Sequence, residues 1–346
     1  MEAMRKQLDP SPTTRRPSES CVFERRVGDR FVPWVGVDRA RRPFQDRELL
    51  ARVKFVSSGR PAAAAGPAQA PSRCVFGDDP IVLARVDGPR LPITSVAGLA
   101  RQLRRALMSF ADQPVAEIIS GHQADGAAAE TPHLAVVPLP AVTGLHPNGA
   151  LLGIALVLPR EVDEAARAAV MRAIARFEDR HRTDAEEGSP IPVWLGHAGT
   201  LVLQRAVRGA GRHDALRPAT WIGPARRWAS ATPIALDRNP GDLGHADPER
   251  RRTALEAATA CVIDAVRRIG LPAPVEVEVL RSCALPGTAE ARHYPRFPVG
   301  PRRPQRVLVH ARLRFGAPVS GPVLVGAGRY HGLGLLLPSD ESASRW

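Results

Sequence analysis

Apolar residues recur with two different periods along this chain of 346 residues, and the switch between periods marks its elements. Ile81 to Val86 is a short apolar run that predicts a strand. From Ser95 to Phe110 the period lengthens, and Leu99, Leu103, Ala106, Leu107 and Phe110 fall on one helical face. Arg101, Arg104 and Arg105 lie off that stripe and are expected on a solvated face. The runs His133 to Pro140 and Leu151 to Leu158 predict two strands flanking a loop. A helix follows, with Glu161, Asp163 and Glu164 at its start and Arg176 and Arg180 at its end, a charge order that suits the helix dipole. Its apolar face is Val162, Ala166, Val170, Ile174 and Phe177, and Leu201 to Ala206 returns as a strand.

The second half repeats the theme. Ala229 to Leu236 is strand-like, Asp247 caps a helix with Pro248 in its first turn, and Leu255, Ala258, Val262, Val266 and Ile269 form a stripe that Gly270 ends. Val275 to Val279 and Arg306 to Phe315 then alternate with period two, as in a sheet with one wet face. The order predicts an α+β protein of tandem ferredoxin-like units, with helices on one face of an antiparallel sheet and a glycine-rich loop near the C-terminus. Expected boundaries are a first unit at 79–210 and a second at 211–346. Residues 1–78 alternate charge with Pro, Ser and Gly, and the run Pro61 to Pro67 is linker-like, so little independent core is expected there.

Charge sharpens this picture. The net charge is +13 and the isoelectric point is near 11.0, which points to an acidic partner. Lys6 and Lys54 are the only lysines, so the basic residues are nearly all arginine, whose planar fork pairs bidentately with phosphate. From Ala291 to Ser339 there are eight arginines and no carboxylate. The start of the chain lacks an apolar signal core and no apolar run is long enough for a bilayer, so a cytoplasmic protein without membrane contact is expected. Cys21, Cys74, Cys261 and Cys283 are isolated, which argues against a structural zinc site.

The segment Gly326-Ala-Gly328-Arg329-Tyr330-His331-Gly332-Leu-Gly334 reads as a turn between two strands that lets a backbone approach a polyanion, RNA being the expected one. An apolar strand-like run follows the glycines where nucleotide-binding fingerprints need a helix, so no cofactor is expected. Tyr330 could stack on an unpaired base. By period two His310, Arg312 and Arg314 share one strand face, and Arg296, Arg302 and Arg303 lie in a loop beside His293 and Tyr294. Arg226 and Arg227 precede Trp228 at the start of a strand, either as a backbone clamp or laid over a buried Trp228. Trp194 and Trp221 are expected in the core.

Several ordered motifs resemble a known family. Ser120-Gly-His122, His133 to Pro140, Leu152 to Arg160, Gly223-Pro-Ala-Arg-Arg-Trp228, Ile269 to Val275 and Gly321 to Gly328 are similar to the RAMP superfamily of CRISPR-associated proteins. The closer resemblance is to the fused type I-U (I-G) subunit that joins guide-RNA handle binding to processing of precursor guide RNA. It runs from about Ile81 to Pro338, whereas Met1 to Ser72 lacks the strand-rich opening of that family. The resemblance implies metal-independent cleavage of repeat RNA, in which a ribose 2′-hydroxyl attacks the adjacent phosphate and leaves a 2′,3′-cyclic end. It implies CRISPR repeat or guide RNA and other effector-complex subunits as partners. It also favours a histidine near the start of the first unit as the base, hence His122, His133 or His146. His122 comes first because it follows a Ser-Gly turn, whereas His133 opens an apolar strand where a ring can simply serve a neighbouring backbone. His293, His310 and His331 remain further candidates. The alternatives are a non-catalytic RAMP subunit that holds guide RNA, and an unrelated basic nucleic-acid-binding protein.

Overall fold

The structure is a computed structural model that describes residues 23–27, 30–34, 49–54, 70–182, 189–206, 213–283, 285–298 and 304–339. The chain divides into Met1–Pro43 and Phe44–Trp346. In the first of these, β1 (Phe23–Val27) and β2 (Arg30–Trp34) pair antiparallel, with Phe23 opposite Trp34. The linker-like run Pro61 to Pro67, Cys21, and Arg302 and Arg303 lie outside the described residues.

The larger unit contains two sheets. In chain order the first is built from β5 (Ile81–Asp87), α1 (Val96–Phe110), the short α2 (Glu117–Ser120), β6 (Ala135–Pro140), β7 (Leu151–Val157), α3 (Glu164–Arg180), β8 (Ile191–Trp194) and β9 (Thr200–Arg205). Its strand order is β6-β7-β5-β9-β8, every neighbour antiparallel. This is a split β-α-β arrangement: α1 carries the chain from β5 past β7 to β6, and α3 carries it from β7 past β5 and β9 to the edge strand β8, which turns back into β9. The Asp163 side chain caps α3 by accepting from the Ala166 amide. Phe110 of α1 stacks on Phe177 of α3 with ring centroids 4.3 Å apart, so the helices lie side by side.

After the short α4 (Ala219–Ile222), the second sheet takes β10 (Ala225–Ser230), the two-residue β11 (Ile234–Ala235), α5 (Pro248–Arg268), β12 (Glu276–Leu280), β13 (Leu308–Ser320) and β14 (Leu336–Ser339). The order β14-β10-β13-β12 repeats the order of the first sheet, but the second helix of the pattern is replaced by the glycine-rich segment. Asp247 caps α5 with Pro248 in its first turn, and Gly270 follows its end at φ +82°. The chain before residue 78 contributes more than a linker. Leu49–Lys54 is β3, the edge strand beside β12, and Ser72–Arg73 is β4, parallel to β13. Cys74 and Phe76 are fully enclosed. Residues 49–54 carry too few positions to display a period amid their charged flanks, which is why the pattern hides this strand.

Burial explains the two kinds of strand. On β12 and β13, Val277, Val279, Leu313 and Phe315 join Ala258, Val262 and Val266 of α5 in the core, while the intervening residues face a cleft. Hence the alternation. On β6 every residue is buried, because one face meets the helices and the other closes a small apolar gap in which Val82, Val137 and Ala155 meet Trp221, Leu324 and Leu335. A strand covered on both sides reads as a continuous apolar run. Trp221 is buried as expected, and Trp228 is buried, the second of its two readings, but Trp194 on the edge strand β8 is 71% exposed, a correction to its expected place in the core. Among the described residues no helix is long and apolar enough to cross a membrane.

Candidate nucleic-acid interface

The glycine segment does not form a simple hairpin. Leu324 and Leu335 make one antiparallel bridge, and β14 then pairs with β10 rather than with the strand before the loop. Between them Arg329–His331 form a single turn of 3₁₀ helix that Gly332 closes at φ +78°. The four glycines are buried, and their reason lies within the protein. A Cβ on Gly332 would stand 2.5 Å from Pro138 Cδ, and one on Gly328 would stand 2.7 Å from Leu333 Cβ. The amides of Ala327, Arg329, His331, Leu333 and Gly334 donate to Ala235, Gly326, Gly328, Gly328 and Pro233 carbonyls. Packing of the loop therefore accounts for Gly326, Gly328, Gly332 and Gly334. The groups it offers outward are the side chains of Arg329, Tyr330 and His331, all half-buried.

One buried cation holds this loop against the first sheet. Arg104, placed on the solvated face of α1 by the sequence pattern, is only 6% exposed. Its Nη1 donates to Ile119 O at 2.7 Å, and its Nη2 donates to Leu134 O at 2.5 Å and Tyr330 O at 3.0 Å. Burial lowers its pKa to about 10, which leaves the guanidinium charged at neutral pH. The sequence does hold a signal for this: Arg104 lies one helical turn beyond Ala100, at the edge of the buried stripe.

His133 completes the anchor. Its ring stacks on Tyr330 at 3.6 Å between centroids, and Phe76 meets Tyr330 edge-on at 5.9 Å. Arg329 Cζ lies 4.6 Å over the same tyrosine ring. Burial, then the nearby Arg104 charge, push the His133 pKa down to about 3, so the imidazole is neutral and enclosed. Gly121 lies against the other side of the anchor, since a Cβ there would stand 2.7 Å from His133 Nε2.

His122 follows Gly121 directly and is exposed. Ser120 is the last residue of α2, and its carbonyl lies 3.1 Å from His122 Nδ1. A carbonyl can only accept, so this hydrogen bond requires the proton on Nδ1, and in the neutral imidazole the lone pair is then on Nε2. His122 Nε2 has no hydrogen-bond partner among the described residues. The chain thus joins His133, Arg329 and Tyr330 in one cluster, and His122 follows Gly121, which packs against the His133 ring. His146 is not part of it. It is exposed in the loop past the far end of β6, roughly 20 Å from His133 along the strand.

The remaining predicted residues are more scattered. Arg227, Arg312 and Arg314 do line one cleft, but Glu276 and Glu278 of β12 line it too. Arg312 Nη1 lies 3.1 Å from Glu278 and Arg314 Nε lies 3.0 Å from Glu276, so a region without carboxylates in sequence is not without them in space. His310 shares neither this cleft nor solvent. It is fully buried, its Nδ1 3.0 Å from Ser230 Oγ and its Nε2 3.1 Å from Ala289 O, and burial lowers its pKa to about 4. Arg226, His293 and Arg296 are exposed. Phe297, next to Arg296, approaches the His331 ring at 5.8 Å. Among the described residues no three His, Cys, Asp or Glu side chains are grouped as a metal ion would need.

Comparison with known proteins gives the arrangement a family. No curated protein sequence matches the chain. Among solved structures it is similar to one described as the crystal structure of Cas6b, with 11% sequence identity and a TM-score of 0.36 over 72% of this chain and 94% of that one. The profile described as CRISPR-associated protein, GSU0054 family, matches residues 56–338. That match spans most of the chain, which therefore belongs to the GSU0054 family of CRISPR-associated proteins.

Proposed function

We propose that this protein is a guide-RNA processing endoribonuclease of a CRISPR system, built from two ferredoxin-like units, that cleaves repeat RNA without a metal ion and remains with other subunits of an effector complex. The observation that carries the reading is an exposed imidazole, His122, one residue from Gly121, which packs against His133, whose ring stacks on Tyr330 of the basic loop tip Arg329–His331. His122 acts as general base. It takes the proton of a ribose 2′-hydroxyl, the 2′-oxygen forms its bond to the adjacent phosphorus, and the bond from phosphorus to the 5′-oxygen breaks. The departing oxygen takes up a proton, and a 2′,3′-cyclic phosphate remains. Arg329 stays cationic beside the phosphate and neutralises the charge that develops on it. His331 and Tyr330 hold the RNA, with a base against the exposed part of the tyrosine ring. His133 serves as the loop's anchor, and the four glycines let the loop pack tightly enough to present these side chains. Arg226, Arg227, Arg296, Arg302, Arg303, Arg312 and Arg314 supply further phosphate contacts, the last two in competition with their glutamate partners.

The test is cleavage of a labelled repeat RNA in EDTA. General base catalysis contributes about 100-fold or more, so His122→Ala should slow cleavage at saturating RNA by at least that factor while the dissociation constant stays within two-fold. A 2′-deoxy substitution at the cut site should abolish cleavage. His146→Ala should behave as wild type. Tight binding with no cleavage by wild type would instead identify a subunit that holds guide RNA.

A further inference from the structure

Beyond the loop lies a groove of which this reading uses Arg296 alone. Arg281 at the end of β12, Arg292, Arg296 and Arg306 line it, against only two carboxylates, Asp242 and Glu290. Glu290 is committed to Arg292, 2.8 Å from its Nε. Arg306 donates to the Asp237 carbonyl, which fixes its guanidinium at the groove wall. Arg281 and Arg296 are exposed, and among the described residues their guanidinium groups have no ion-pair or hydrogen-bond partner. The contrast with the sheet cleft is physical: there an incoming phosphate must compete with a glutamate for each of Arg312 and Arg314, whereas here two guanidinium forks stand open.

One ring contact links the groove's Arg296 to the glycine-rich loop. His331 at the loop tip meets the Phe297 ring, and Phe297 directly follows Arg296. A strand held at Arg329 to His331 would thus pass a half-buried aromatic ring and then reach paired cations, the alternation of stacking surface and phosphate contact that single-stranded RNA requires. We propose that this groove is a second RNA-binding site, in which Arg281 and Arg296 contact backbone phosphates of the strand leaving the loop across Phe297. The proposal rests on the reading of the protein as an RNA-processing enzyme. It adds the path of the RNA and gives Arg281 a role.

The test is a salt titration of binding, read by fluorescence anisotropy, with a labelled repeat RNA and an oligouridylate of equal length. Each phosphate contact on a single strand contributes about 0.7 to the slope of log affinity against log salt. The double variant R281Q/R296Q should lower that slope by about 1 to 1.5 and weaken binding on the order of ten-fold at low salt for both RNAs. The charge-matched control R101Q/R105Q, which removes two exposed arginines from α1, should leave the slope unchanged. Wild type that binds RNA while R281Q/R296Q keeps its slope and affinity overturns the groove alone and leaves it to an acidic protein partner. An equal slope change in the control overturns it as well, since general field would then explain the effect. Wild type that binds neither RNA overturns the groove together with the functional reading beneath it.

Discussion

Arg104 has the largest structural consequence of any single residue in the site. A guanidinium enclosed to this degree is tolerable because three carbonyls replace its hydration, and those carbonyls come from α2, from the start of β6 and from the loop at Tyr330. Arg104→Met would keep much of the volume and strand all three acceptors. We expect a loss of roughly 3 kcal/mol in urea denaturation, together with faster hydrogen exchange at the His331 and Leu333 amides, which close the turn onto Gly328. Arg104→Lys restores a charge but not a planar fork that spans three elements, so it should recover only part of either loss. Unchanged exchange in the methionine variant would show that stacking on His133 alone holds the loop. The histidines illustrate what a residue-level reading can see. The Ser-Gly turn before His122 correctly signals exposure, and the apolar strand after His133 correctly signals a ring occupied with its neighbours. His310 alternates with two arginines in the sequence but disappears under the segment that supplies Ala289, a contact between positions 21 residues apart.

Strand pairing decides the electrostatics at the level of elements. The run from Ala291 to Ser339 has no acid, yet β13 lies between β10 and β12, and β12 brings Glu276 opposite Arg314 and Glu278 opposite Arg312. The two pairs differ in burial: side chains of Arg312 and Glu278 are 13% and 10% exposed, whereas Arg314 is 43% exposed. Glu278→Gln leaves a largely buried cation short of its counter-charge and should cost about 3 kcal/mol. Glu276→Gln should cost less than about 1 kcal/mol, since water solvates Arg314 once the pair is broken. Chemical denaturation of the two variants side by side checks this, and equal losses would refute the distinction. The long helices were legible because their stripes and caps are local: Asp163 and Asp247 both cap where the pattern places them. So was the alternation of β12 and β13. Strands β3 and β8 were not, being short and at sheet edges, where a strand needs only one apolar face and a few residues. The glycine-rich segment was legible as a special backbone, but its pairing was not, because β14 finds its partner in β10, more than 100 residues earlier.

Across the whole molecule the two sheets each enclose one neutral histidine, His133 beside the first and His310 within the second, and together these make stability depend on pH. Burial lowers both below the ordinary value of 6.5, to about 3 for His133 and about 4 for His310. Below pH 6.5 the unfolded chain binds protons at these positions that the folded chain refuses. Unfolding therefore takes up protons, and stability rises with pH through this window: it is fully present above pH 6.5 and is lost as pH falls toward the folded values. Each histidine contributes up to about 1.4 kcal/mol per pH unit, or about 2.7 kcal/mol per unit for the pair between roughly pH 6 and 4.5. Asp78 and Asp112, whose arginine partners hold their carboxyls below the usual range, act in the same direction but only at lower pH. The histidine window can thus be read separately. Urea denaturation from pH 7.5 to 4.5 should give a slope that falls by about one proton in His133→Gln and by about one in His310→Gln, with the effects additive because the two rings lie in different sheets. A slope that both variants leave intact would mean that neither ring is held neutral by the fold. Loss of slope in His133→Gln alone would place the acid-sensitive contact at the loop anchor, where protonation opposes the nearby Arg104 and separates the ring from Tyr330.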